Sequence, residues 1–296
     1  MRLAWVALVG ACSFHDGTLG GAPDDGPLPS DTPDVMQQLG AWGSPMEIAE
    51  LNSGSGDDDP SLTSDLLEIY FGSDRSGGAG YEDIWRATRA SPSAPWDSPQ
   101  PVTELNSASA ETTIKVSLDG LAIFFASTRG AGSDFDLYYS TRATRADAWK
   151  TPLSIAELST VDGEYAPWPR NDLLRLIFCH GASVPDEALF ISERGTATAT
   201  WGTPKRISEL DATNDSECDP MEPKADTLYF SSNRAGGYYD VYVSHRGSTA
   251  WDTPTEVTTI NLPSVNDRDP WVSPDERYLV FSSDRSGTDR LYVSTR

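Results

Sequence analysis

A tryptophan followed three residues later by a proline occurs five times, as Trp42/Pro45, Trp96/Pro99, Trp149/Pro152, Trp201/Pro204 and Trp251/Pro254. The tryptophans are 54, 53, 52 and 50 residues apart. A repeat near fifty residues belongs to a propeller or a solenoid. Behind each motif comes one skeleton, with a β-branched residue six places after Trp and Leu or Ile nine places after: Ile48 and Leu51, Val102 and Leu105, Ile155 and Leu158, Ile207 and Leu210, Val257 and Ile260. We read this stretch as the fourth strand of a blade.

Each repeat then carries a run that is apolar on both faces: Ile69 to Phe71, Ile123 to Phe125, Leu176 to Phe178, Leu228 to Phe230 and Leu279 to Phe281. Such a run suits a strand packed on both sides. A Ser-x-Arg turn leads to another strand, at Ile84-Trp85, Leu137-Tyr138, Leu189-Phe190, Val241-Tyr242 and Leu291-Tyr292, and four residues after each aromatic stands an arginine: Arg89, Arg142, Arg194, Arg246 and Arg296. Four short strands per repeat with Gly, Ser, Asp and Asn at the turns predict an all-β, five-bladed β-propeller, and the period-two pattern excludes a solenoid of helix pairs. The repeats open on a fourth strand (42–52) and stop at the end of a third, so the N-terminal strand is expected to close the last blade and remove an open sheet edge. The predicted domain spans residues 42–296.

The first eleven residues pair Arg2 with the apolar run Leu3 to Gly10, a short secretory-type segment that cannot span a bilayer. Val9-Gly10-Ala11-Cys12 resembles a bacterial lipobox, which implies a signal peptide over 1–11 and lipidation of Cys12; valine stands where leucine is usual. Residues 12–41, rich in Gly and Pro, read as a flexible tether with a reach on the order of 30 Å. The expected location is the bacterial cell envelope, periplasmic or at the cell surface, with the lipid as the only membrane contact. A formal charge of -23, from 45 acidic against 22 basic side chains, argues against nucleic acid and against anionic bilayers as partners.

The stretch from Pro270 to Gly287, Pro-Trp-Val-Ser-Pro-Asp-Glu-Arg-Tyr-Leu-Val-Phe-Ser-Ser-Asp-Arg-Ser-Gly, followed by Leu291-Tyr-Val, resembles the WD-repeat-like propeller repeat of the TolB type. The match holds in repeats one, two, four and five and decays in the third. The resemblance implies a periplasmic or extracellular protein that binds other proteins or acts as an accessory. The best-known members have six blades, so their role does not transfer whole.

Aligning the repeats puts an acid at one position in all five, at Asp57, Glu111, Glu164, Glu217 and Asp267, and a second acid two residues later in three, at Asp59, Asp219 and Asp269. Arg75, Arg129, Arg234 and Arg285 of the Ser-x-Arg turns and Asp83, Asp136 and Asp240 at the third strands are expected on the same face. Two readings fit the first ring: ion pairs and capping bonds that hold the blade tops together, or carboxylates binding Ca²⁺ or a cationic ligand at the channel mouth. Apart from that Ca²⁺, no cofactor is expected. Blade three breaks the pattern with Cys179-His180-Gly181 and with Tyr165 and Trp168, so Tyr165, Trp168 and His180 are the candidate contacts for a partner. Cys179 and Cys218 are expected on one face, where a disulfide, two buried thiols or a Zn²⁺ site with His180 are the alternatives.

No Gly-x-Ser-x-Gly elbow, His-Glu-x-x-His or phosphate-binding loop occurs. The expected activity is therefore non-catalytic binding or scaffolding by a monomer, with an envelope protein or glycan as partner. The alternative is a five-bladed glycoside hydrolase using channel carboxylates.

Overall fold

The computed structural model describes residues 39–130, 134–181 and 187–296. The signal peptide, Cys12 and nearly all of the tether lie outside the described residues. The remainder forms twenty strands in five four-stranded antiparallel sheets. The inner strands are β2 (Asp57–Leu62), β6 (Glu111–Val116), β10 (Gly163–Pro169), β14 (Glu217–Lys224) and β18 (Asp267–Val272). Outside them lie β3 (Glu68–Ser73), β7 (Ala122–Ser127), β11 (Arg175–Gly181), β15 (Thr227–Ser232) and β19 (Tyr278–Ser283), then β4 (Asp83–Thr88), β8 (Asp136–Thr141), β12 (Ala188–Glu193), β16 (Asp240–His245) and β20 (Arg290–Thr295). The outermost are two-residue strands: β1 (Met46–Glu47), β5 (Gln100–Pro101), β9 (Leu153–Ser154), β13 (Lys205–Arg206) and β17 (Thr255–Glu256).

Closure follows the sequence expectation. β1 joins the sheet of β18, β19 and β20 through Met46↔Val293 and Glu47↔Tyr292, flanked by bonds from Gly43 N to Thr295 O and from Ile48 N to Leu291 O, both 2.9 Å. The fourth strand is much shorter than 42–52, however. After two paired residues the chain turns, with Leu51 N donating to Ile48 O, and the same i to i+3 bond recurs at Leu105, Leu158, Leu210 and Ile260. The two apolar positions three apart are thus the buried corners of a turn rather than alternate residues of a strand.

The same geometry explains the Trp-x-x-Pro motif. Each tryptophan is buried, and the arginine ending the third strand of its blade lies over the ring: Arg89 on Trp96 at 4.1 Å, Arg142 on Trp149 at 4.4 Å, Arg194 on Trp201 at 4.1 Å and Arg296 on Trp42 at 4.2 Å. Nε of these arginines donates to the carbonyl of Leu66, Gly120, Leu173 and Glu276, each in the left-handed region at the turn between the first two strands. Stacking and the charge-assisted bond together lock the outer strand onto its blade. Blade four has a tighter Lys224↔Thr227 hairpin without such a residue, and Arg246 sits farther from Trp251, at 5.7 Å.

Candidate functional site

The first ring of acids opens the inner strands, where the loop from the preceding blade enters. All five are buried, and each is bonded within its own blade. Glu111 accepts from Ser127 Oγ at 2.9 Å and from Ser107 N at 2.8 Å and is ion-paired with Arg129 at 2.9 Å; Glu217 accepts from Ser232 Oγ at 2.9 Å and Arg234 at 3.0 Å. Asp57 with Ser73 and Arg75, and Asp267 with Arg285 and Leu262 N, repeat the arrangement. In blade three His180 replaces the serine and arginine, its Nδ1 3.1 Å from Glu164 Oε1. Among the described residues these five do not converge, so they offer no common metal centre.

The acids that do converge are the second set. Each inner strand carries a β-bulge, and the residue two places after the first acid adopts positive φ: Asp59 (52°), Thr113 (51°), Ala166 (48°), Asp219 (52°) and Asp269 (56°). Aspartate tolerates this region better than most residues. In four blades a proline follows, which needs no N–H partner where the ladder is broken. The bulge brings oxygens of Asp59, Asp219 and Asp269 within 4.8 Å of one another, and those of Asp58, Asp59 and Glu82 likewise.

Burial dominates the electrostatics here. It pushes the Asp59 carboxyl well above its ordinary range, reinforced by Asp269, and pushes Asp219 up to about 7 for the same two reasons. Burial raises Asp58 too, with Glu82 and Asp59 adding to it, and lifts Glu82 to about 6. Asp269 goes the other way: burial opposes its charge, but Arg268 and then Lys115 outweigh that and hold it low. Lys115 is fully buried, and its Nζ has no hydrogen-bond partner among the described residues; Thr113 Oγ1 and Trp271 Nε1 likewise have none there.

Below the bulge, the five inner strands present Ser61, Lys115, Trp168, Met221 and Trp271 in the same register. Trp168, Met221 and Trp271 belong to one apolar cluster, and Trp168 is 2% exposed. This corrects the expectation for Trp168: like its counterpart Trp271 it is core and presents no surface to a partner. Tyr165 is half-buried against Phe135, at 5.2 Å, and His180 stands edge-on to Phe190 at 5.1 Å, so these two stay near the blade-three entry. Cys179 and Cys218 form a disulfide that ties β11 of blade three to β14 of blade four.

The entry face has a second character. Of the six large apolar side chains well exposed among the described residues, Tyr81 (83%), Val161 (87%), Tyr238 (45%) and Leu262 (43%) lie on loops entering an inner strand or joining second to third strands, on this one face. Met46 and Leu153 lie on outer strands. Sequence reasoning missed this set because single exposed apolar residues carry no periodic signal. A cavity of about 480 Å³ opens on the face between the β15–β16 and β17–β18 loops.

No family model and no curated protein matches the sequence. The fold does have solved counterparts. A putative TolB from Agrobacterium tumefaciens superposes with a TM-score of 0.50 at 15% identity, covering 81% of this chain and 76% of that one. TolB from Acinetobacter baumannii gives 0.51 at 16% identity over 83% of this chain, which spans 56% of that protein. An α-L-arabinofuranosidase from Podospora anserina, solved with cellotriose, gives 0.57 at 12% identity over 86% and 96%. The chain therefore shares the fold of β-propellers that include TolB proteins and glycoside hydrolases.

Proposed function

We propose that this chain is a non-catalytic binding or scaffold propeller, exported to the cell envelope through its N-terminal segment, that engages a protein or glycan with its entry face. One observation carries the reading: the converging carboxylates Asp59, Asp219 and Asp269 are buried and within 4.8 Å of one another, while four of the six exposed apolar side chains among the described residues lie on the entry face. Glycosidases set their two carboxyl groups about 5–5.5 Å or 6.5–9.5 Å apart across a bound sugar. Asp59, Asp219 and Asp269 are closer, and Asp269 is enclosed by Ser282 and Arg268. Aromatic and aliphatic side chains in irregular loops are, by contrast, what interfaces use.

A second reading, glycoside hydrolysis, draws on the divergence between Glu82, lifted to about 6, and Asp269, held low. Carboxyls driven apart in this way are the usual acid and base pair. Capture from an envelope extract by the mature protein, compared with Tyr81→Ser/Val161→Ser, tests the first reading. Polysaccharide turnover by the wild type, abolished in Asp269→Asn, tests the second.

A further inference from the structure

The cavity of about 480 Å³ on blade four is walled by Tyr238, Leu262 and Pro263 and carries Asp240 and Glu256. Neither acid has a salt-bridge partner among the described residues, and both are only half-buried. Burial pushes Asp240 up to about 6, with Glu256 and Asp267 adding to the effect, as expected for acids without a counter-ion.

Blade five has a cation at the equivalent place. Register puts Arg290 opposite Ser283 as Asp240 is opposite Ser232, and Glu47 opposite Tyr292 as Glu256 is opposite Tyr242. In blade five Arg290 Nη1 lies 3.6 Å from Glu47 and donates to Ser53 O at 2.7 Å. Where blade five has a guanidinium and a carboxylate, blade four has two carboxylates beside an aromatic and an aliphatic wall. The remaining blades have Asp83 with Pro101, Asp136 with Ser154 and Ala188 with Arg206, so only blade four has two acids at this pair of positions.

We infer that the blade-four pocket takes an arginine or lysine side chain from a partner polypeptide, its stem against Tyr238 and Leu262 and its charged head between Asp240 and Glu256. The assignment rests on the binding reading above and names the chemistry of the partner. A cation in this cavity has Tyr238 and two carboxylates in its lining, a combination that suits a planar guanidinium better than a compact point charge.

The test uses acetyl-arginine amide, acetyl-lysine amide and the uncharged isostere acetyl-citrulline amide with the whole mature protein, followed by ligand-observed NMR titration. The expected result is saturable binding of the arginine probe, weaker binding of the lysine probe, and at least tenfold weaker binding of citrulline. Asp240→Asn/Glu256→Gln should weaken the arginine probe at least tenfold, whereas Glu50→Gln/Glu209→Gln, which removes two exposed charges elsewhere, should not. Tyr238→Leu, which keeps an apolar wall, should weaken it by a smaller factor. Equal binding of citrulline, or equal loss in the two double variants, overturns the pocket. If the Tyr81 and Val161 face binds a partner that Asp240→Asn/Glu256→Gln still binds normally, the pocket fails and the binding reading stands; if the probe result holds but no partner depends on the face, the reverse is true.

Discussion

At the residue scale, the most consequential feature is a set of carboxyls whose surroundings favour the neutral, protonated form. Asp219 is raised to about 7 and Glu82 to about 6, so near neutrality the folded chain holds protons that the unfolded chain, with ordinary carboxyls near 4, has released. Groups with raised folded values contribute stability that is complete below the unfolded value and is lost as pH rises through the folded one. The melting temperature should therefore fall between pH 5 and pH 8, and Asp219→Asn should flatten that slope. A slope unchanged in the variant would show that the proton sits elsewhere. Lys115 is a cation buried beside these acids, and its loss leaves like charges facing each other. Lys115→Met should cost about 3 kcal/mol at pH 7, and less at pH 5, in denaturant unfolding. Both sets of acids are visible in the sequence at a spacing of two. Which set converges is decided by the bulge, and the aspartate–proline pairs at Asp59, Asp219 and Asp269 suit a positive φ without singling it out from an ordinary turn.

At the scale of elements, the repeat was readable because each recurring residue has one structural job. Tryptophan lies under arginine, arginine caps a turn carbonyl, and the serine of the Ser-x-Arg turn donates to the first acid. The length of the fourth strand was not readable, because an apolar pair three apart serves a turn as well as a strand; the Leu51 to Ile48 bond decides it. The burial of Trp168 is hidden in the sequence for a related reason: blade three diverges around it, yet its register partner Ile177 puts it level with Trp271. Two predictions belong here. Removing residues 42–52 strips β1 from β20 and exposes its edge, so this chain should lose cooperative unfolding, while removing 13–38 should leave the melting temperature unchanged. The Cys179–Cys218 disulfide spans a separation of 39 residues, and Cys179→Ala/Cys218→Ala should cost about 2–4 kcal/mol in denaturant unfolding. A null result would mean that blades three and four are held by packing alone.

At the scale of the whole molecule, five near-equal blades make one frame, and departures from the repeat concentrate on one face. There lie Tyr81, Val161, Tyr238 and Leu262, the blade-three residues Tyr165 and His180, and the acidic pocket of blade four. The proposed export, with the lipid anchor expected at Cys12, would set where that face works. Cys12→Ser should move the protein from the membrane fraction to the soluble one, since an acyl chain would be the main source of membrane affinity in a chain of charge -23. This face is proposed to bind and not to catalyse. The most direct measurement is quantitative capture from the native envelope extract by the wild type, by Tyr81→Ser/Val161→Ser on the entry face, and by Met46→Ser/Leu153→Ser on the outer strands, with all three shown to melt alike. One partner should be retained by the wild type and the outer-strand variant and lost, by tenfold or more, from the entry-face variant. Equal capture by all three, or no capture together with polysaccharide turnover that Asp269→Asn abolishes, would contradict it.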